Sequence, residues 1–308
     1  MNRITEMLGI KYPIIQGAMQ DVAKAGLVAA VSNAGGLGVL ASGQDTPEQV
    51  REEIRKVKEL TDKPFAVNLM FLNKKVPEIV DVVIEEGVKI VTTGAGTPKL
   101  YMPKLKEAGI KVMPVIPNVK IAKKMEELGV DAVIAEGMES GGHIGTMTSQ
   151  TLWPQVVDAV KIPVIAAGGI ADNRGVKAAM AMGAEGVQCG TIFSISKESP
   201  VGDNWKKVII ESKDTSIGVI GTKMGVASRI VVNKKAKELY ELEDKMTDKL
   251  KFNQLLDEAY QKAVYQDDVE NGIIFAGSVA GMIHESKSAA EIISNLMVLC
   301  QKGLMPKF

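Results

Sequence analysis

Cysteine and histidine are scarce in this chain, with two of each in 308 residues. Cys189 and Cys300 stand far apart with no metal-ligand spacing around either. That argues against a disulfide scaffold or a metal centre and suits a reducing compartment. Net charge is absent too: Lys plus Arg and Asp plus Glu number 37 each, so no global basic field exists to hold nucleic acid. The short runs Lys206-Lys207 and Lys234-Lys235-Ala236-Lys237 read as solvated surface. No apolar run reaches the length of a membrane span, and the start, Met1-Asn2-Arg3-Ile4-Thr5-Glu6-Met7, lacks the apolar core of a signal peptide. What remains is 46% hydrophobic and 24% charged residues, the composition of a globular protein. A cytoplasmic protein without nucleic-acid or membrane partners is expected.

Short β-type runs begin near Tyr12, Gly36, Pro64, Val88, Ile110, Val130, Ile162 and Glu185, with room for a helix between each pair. Patterns such as Pro47 to Leu60, Val76 to Glu86 and Ile121 to Leu128 are helical. Gly87, Gly109, Gly129 and Gly183 read as C-caps before the next strand. Eight such units predict an α/β fold, a closed (β/α)8 TIM barrel over residues 1–195, in preference to an open doubly wound sheet. The regularity stops after Thr191. Residues 196–250 are lysine-rich, with a β-like piece at Ile217-Gly218-Val219-Ile220 and helical charge patterning from Lys234 to Lys249. They read as an inserted lid subdomain. Residues 251–308 carry helical patterns at Phe252 to Tyr265, Ser278 to His284 and Ala289 to Gln301, expected to return to the barrel wall and rim.

Barrel sites form from the loops after strand C-terminal ends, and that rule sorts the glycines. Gly35-Gly36 precedes a strand and reads as a turn on the opposite face. Gly168-Gly169 follows the seventh predicted strand and precedes a helix beginning near Asp172; Gly190-Thr191 follows the eighth. Their amides, that helix N-terminus and the Thr191 hydroxyl can surround a phosphate, which side chains at the glycines would hold away. The loop after the sixth strand, Glu136-Gly137-Met138-Glu139-Ser140-Gly141-Gly142-His143, adds acids and a histidine. His143 is the candidate acid–base residue, because imidazole titrates near neutrality and a glycine loop is a poor place for a packed core residue. His284 reads as structural and Cys189 as a small buried residue. Glu136 and Glu139 give weak support to acid-pair hydrolysis. Other strand ends offer Gln16-Gly17-Ala18-Met19, Asn68 and Thr92-Thr93-Gly94-Ala95-Gly96. Asn68 suits a ligand or a strand-end carbonyl equally, and Met19 a ligand or the core.

Several of these segments carry a family likeness. They are Arg3-Ile4-Thr5, Tyr12-Pro13-Ile14-Ile15-Gln16-Gly17, Lys63-Pro64-Phe65-Ala66-Val67-Asn68, Val91-Thr92-Thr93-Gly94-Ala95-Gly96 and Glu136 to Gly145. From Arg3 to the last helices the chain resembles the FMN-dependent enoyl-acyl carrier protein reductase II family, within the nitronate monooxygenase (2-nitropropane dioxygenase) superfamily. Nitronate monooxygenases commonly have glutamine where this chain has Glu136, and the Ala276-Gly277-Ser278 region also matches the reductases.

The resemblance implies FMN held by Gly17, Ala18, Met19, Asn68, Glu136, Gly141, Gly142, Gly168, Gly169, Gln188, Gly190 and Thr191, with His143 catalytic. It further implies NADH as reductant, an enoyl thioester on acyl carrier protein as substrate and partner in fatty acid synthesis, and a homodimer. Two other readings stand beside it. One is a nitronate monooxygenase that oxidises alkyl nitronates with FMN and oxygen; the other is a non-redox, phosphate-binding barrel.

Overall fold

The structure, a computed structural model, describes residues 2–298. Cys300 and the end of the helical pattern Ala289 to Gln301 lie outside the described residues. Among the described residues the strands in chain order are β1 (Ile14–Gln16), β2 (Gly38–Ala41), β3 (Phe65–Met70), β4 (Ile90–Gly94), β5 (Lys111–Ile116), β6 (Val133–Glu136), β7 (Gly142–His143), β8 (Val164–Ala167), β9 (Gly186–Cys189), β10 (Ile217–Ile220) and β11 (Ser228–Val231). Eight of them form a parallel sheet in the order β1-β9-β8-β6-β5-β4-β3-β2. It closes where Ile15 bridges Leu37, the Gln16 amide donating to the Leu37 carbonyl at 2.9 Å. The fold is the (β/α)8 TIM barrel, with β8 and β9 as its seventh and eighth staves.

Both faces of these strands are buried, which is why they read as near-continuous apolar runs. Side chains alternate across the sheet. Ile15, Val39, Ala66, Ile90, Met113, Ile134 and Ile165 fill the barrel interior. Ile14, Leu40, Val67, Val91, Val112, Val133, Val164 and Val187 pack outward beneath the helices. Each such Val, Leu, Ile or Met side chain contributes about 1.5–3 kcal/mol by leaving water. The helix Pro47–Leu60 illustrates the wall. Its buried Val50, Ile54 and Val57 repeat at helical spacing, and Thr46 closes a capping box with Gln49 before Pro47. Losing that cap through Thr46→Ala costs about 1 kcal/mol.

The segment expected to form a lid is built differently. β10 and β11 form an antiparallel hairpin, and β7, from the loop after β6, joins it as a third strand. Ile220, Met224, Ile230, Leu239, Phe252, Leu256 and Ile273 make its small core. A second cluster, including Trp205, Ile209, Tyr260 and Ile274, reaches Val22 and Ala171 at the barrel rim.

The helical pattern read from Lys234 to Lys249 is two helices, Lys234–Glu243 and Lys249–Gln266, because Asp248 caps a new start by accepting from the Lys251 amide. The division expected at residue 250 therefore falls at the head of a helix whose Phe252, Leu256 and Ala259 complete the lid core. The helix Ala289–Met297 is the one that returns to the barrel wall, burying Ile292, Ile293 and Leu296 in the outer core. Ser278–Met282 is a short 3-10 turn. Among the described residues no helix is long and apolar enough to cross a membrane, and no group of three or more His, Cys, Asp or Glu could hold a metal ion.

Candidate active site

The alternation that buries Ala66, Ile90 and Ile134 inside the barrel carries two residues further along each strand to Asn68, Thr92 and Glu136. Gln188 shares that inner face, since its neighbour Val187 points outward. Register aligns Asn68 with Thr92, Glu136 with Ala167, and Ala167 with Gln188. Four polar side chains thus ring the C-terminal mouth. Asn68 donates from Nδ2 to Thr92 Oγ1 at 2.9 Å, and its carbonyl accepts from the Ser42 hydroxyl at 2.6 Å. The Asn68 amide nitrogen is thus spent on the Thr92 hydroxyl and not on the strand-end carbonyl weighed for it, and its amide oxygen accepts no bond among the described residues. Thr92 was not among the predicted contacts; its spacing of two from buried Ile90 is the signal that finds it. Glu136 is half-buried, and burial pushes its carboxyl up to about 7. The Ser140 hydroxyl pulls weakly the other way, and among the described residues no cation adds to it.

Gly17 lies against this ring, its amide donating to the Cys189 carbonyl at 2.9 Å. A Cβ there would sit 3.2 Å from the Gln188 side chain. Ala18 and Met19 are half-buried, and Met19 packs on both the outer core and the lid cluster. Cys189 is 2% exposed, and burial pushes its thiol up to about 12, far from a nucleophile.

Gly168 and Gly169 have φ of +91° and +80°. A Cβ at Gly168 would lie 2.7 Å from the Gly137 carbonyl oxygen and 2.9 Å from Ser149 Oγ, so glycine is required twice over. The amides of Gly168, Gly169, Gly190 and Thr191 have no acceptor among the described residues. Free amides after two adjacent staves, with no Cβ on three of the four residues, suit a phosphate. Two predicted contributors are otherwise engaged. The helix Asn173–Ala181 has its Arg174 and Gly175 amides taken by the Asp172 carboxylate, at 2.9 and 3.4 Å. The Thr191 hydroxyl accepts from the Gly277 amide at 2.9 Å, which leaves its proton to donate.

The loop after β6 meets both of these. Glu139 is a structural acid: it accepts from the Ser149 amide at 2.8 Å and from the Ser149 hydroxyl at 2.7 Å, capping the helix Ser149–Ala159, where Thr148 makes no cap bond. Its carbonyl accepts from the Ser278 amide at 3.0 Å. A Cβ at Gly141 would be 2.7 Å from the Ala276 carbonyl carbon, and one at Gly277 would be 2.7 Å from the Glu139 carbonyl oxygen. Two of the three glycine loops read from the sequence therefore meet at a strap, Ala276-Gly277-Ser278, and the third reaches it through Glu139, whose Cβ would lie 3.3 Å from one added at Gly169. Gly142, at φ +73°, pairs with Arg229, and His143 pairs with Ser228. The imidazole is exposed at the rim, its centroid 6.5 Å from the Phe275 ring, which lies 5.0 Å from Tyr260. His284 is exposed beyond the Ser278–Met282 turn and joins none of this.

Known proteins share this arrangement of elements. FabK from Thermotoga maritima superposes with a TM-score of 0.94 at 41% identity, covering 99% of both chains. A probable nitronate monooxygenase of Staphylococcus saprophyticus is 34% identical, over 96% of each chain. A hydroxy-methyl-oxo-octahydroindene-carboxyl-CoA dehydrogenase of Rhodococcus jostii is 45% identical over 203 residues; that match spans 66% of this chain and 58% of the relative's length. The family model for nitronate monooxygenase matches residues 1–298, nearly the whole length, and the chain belongs to that family.

Proposed function

We propose that the chain is an FMN-dependent oxidoreductase that uses NADH to reduce 2-enoyl thioesters borne on an acyl carrier protein. The observation that carries this reading is the 41% identity, across 99% of both chains, to FabK, an enoyl-acyl carrier protein reductase II. When bound, FMN would supply the redox-active ring for hydride transfer between the nicotinamide and the substrate. Gly168, Gly169, Gly190 and Thr191 offer it their amides for the phosphate. Asn68, Glu136 and Gln188 would hold its polar edge at the barrel mouth, and burial, which pushes the Glu136 carboxyl up to about 7, favours the neutral form that donates as well as accepts. His143 hydrogen-bonds the thioester oxygen as negative charge grows there, or delivers the α-carbon proton; either interaction strengthens in the transition state. The lid keeps water from the reacting atoms. Lysines on the helix Lys234–Glu243 meet an acidic carrier protein, which speeds encounter more than it tightens binding.

Anaerobic rapid mixing tests the reading. NADH should bleach the yellow absorbance, and a crotonyl thioester should restore it. A second reading, a nitronate monooxygenase, draws on the 34% identity to the staphylococcal relative. It requires bleaching by an alkyl nitronate and indifference to NADH. Replacing Lys234, Lys235 and Lys237 with neutral residues should raise KM for carrier-borne substrate several-fold and leave an acyl-CoA analogue unaffected. Equal changes for both substrates would remove the docking role from these lysines.

A further inference from the structure

We infer that Arg229 is a positioning residue that fixes His143 over the barrel mouth; the inference rests on the reading of His143 given above. The imidazole makes no hydrogen bond among the described residues, so its placement comes from the backbone that carries it. That backbone includes Gly141 and Gly142, the residue type with most conformational freedom to lose. Left alone, such a loop would spread the ring over many positions.

Arg229 spans the loop from its start to its histidine. Its guanidinium Nε donates to the Met138 carbonyl at 2.9 Å. Its backbone pairs with Gly142, next to the Ser228–His143 pair, and the Ile144 amide closes the ladder on the Ala227 carbonyl at 3.0 Å. On its other side the Arg229 carbonyl accepts from the Ala276 amide at 3.4 Å, which ties the loop to the strap that Thr191 also holds. One residue therefore joins the lid hairpin, the histidine loop and the phosphate side of the site.

The chemistry of the side chain favours orientation over simple stability. The guanidinium is half-buried, and desolvation lowers its pKa, with Glu139 and Tyr240 as its ionisable neighbours. It makes no ion pair within 4.0 Å among the described residues. A partly desolvated cation is a poor way to fill space, since apolar packing of similar volume commonly stabilises as well or better. What an apolar residue cannot supply is a planar donor aimed at one carbonyl.

The test uses the full chain. Arg229→Met keeps the aliphatic stem packed and removes the donor; Arg229→Lys restores a cation without the fork. Arg229→Met should lower kcat for the thioester-dependent step by about tenfold to a hundredfold, the cost of misplacing a reacting group by an ångström or so. KM, FMN affinity and the rate of bleaching by NADH should stay within about twofold. Arg229→Lys should recover part of the loss. In a His143→Ala background Arg229→Met should cost almost nothing more, because the group it positions is gone. A second readout needs no turnover. The chain has two histidines, so the ring signals of His143 can be followed by NMR. They should be single in the parent and broadened or multiple in Arg229→Met.

An equal Arg229→Met loss in both backgrounds, or unaltered ring signals, overturns the inference. So does a fully active Arg229→Met beside a slow His143→Ala, and that outcome leaves the reading of His143 standing. A fully active His143→Ala enzyme removes that reading, and the inference with it.

Discussion

In the barrel, a site residue stands at the end of a parallel strand, and its neighbours in register decide where it points. Glu136 is aligned with Ala167, Ala167 with Gln188, and Asn68 with Thr92. In the lid no such repetition exists. His143 sits in a two-residue strand that pairs with Ser228 and Arg229, far away in the chain, and its ring leans toward Phe275. The barrel half of the site is fixed by a lattice of short-range repeats, and the histidine half by a few long-range contacts. On the reading above, the first half grips the cofactor and the second acts on substrate. If that division is real, substitutions in the two halves should fail in different ways.

The largest separation is expected from His143→Ala. Removing a proton donor or acceptor used in the transition state should lower kcat about a hundredfold to ten-thousandfold. FMN should stay bound, since no amide of the phosphate loops is touched. A variant that loses FMN in step with activity would erase the division. Gly168→Ala should fail the opposite way. Its φ of +91° and the 2.7 Å approach to the Gly137 carbonyl oxygen together cost about 3 kcal/mol of folding stability. FMN affinity should fall with it, visible as a lower Tm and a weaker titration of the apoprotein. Gly87→Ala is the control: its φ is +66°, but a Cβ there meets nothing within 4 Å, so only backbone strain of about 1 kcal/mol is added.

Gly277→Ala probes the place where the two halves meet. Its φ is unexceptional, so the whole effect is one of space: a Cβ 2.7 Å from the Glu139 carbonyl oxygen and 3.3 Å from Thr191 Oγ1. The strap must lift by several tenths of an ångström, at about 2 kcal/mol. Both FMN affinity and kcat should drop, each less than in the variant specific to it. A change in one alone would show that the strap serves that half and not the crossing.

The same contrast explains what could be read from sequence. The staves were legible because strands buried on both faces are apolar runs, and because Gly87, Gly109, Gly129 and Gly183, all at positive φ, end the helices between them. The glycine loops after the seventh and eighth staves were legible for a related reason, since glycines after consecutive staves have few other duties. Thr92 was named only as a strand-end polar group, because a threonine there carries no mark of its partner until Asn68 is aligned with it. Glu139, which gave only weak support to an acid pair, is a helix cap, a role visible once the Ser149 amide is seen to lack a cap from Thr148. The pairing of β7 with β11 left no trace at all. Two residues have no period, and antiparallel partners of that length are chosen by tertiary packing. The break between the helices Lys234–Glu243 and Lys249–Gln266 was masked by charge patterning that runs through both.

The smallest expected effect concerns Glu136, the barrel residue whose ionisation reports how dry the mouth is. Burial holds its folded-state pKa near 7, above the ordinary carboxylate value of 4.5. An acid raised in this way favours folding while neutral. Its contribution is complete below about pH 4.5, declines as pH rises, and is gone once pH passes about 7. Glu136→Gln keeps the size and loses the titration. Relative to that variant, the cofactor-free parent should become less stable across this window and then run parallel to it at higher pH. The amplitude should be about 1 kcal/mol, because the carboxyl keeps some solvent on its open side. Urea denaturation of both proteins at a series of pH values measures it, and taking the difference cancels every other titrating group. A pH-independent difference would mean that the Glu136 carboxyl titrates as it does in water. The mouth of the barrel would then be wet at Glu136, and the desolvated floor on which the cofactor grip depends would be lost.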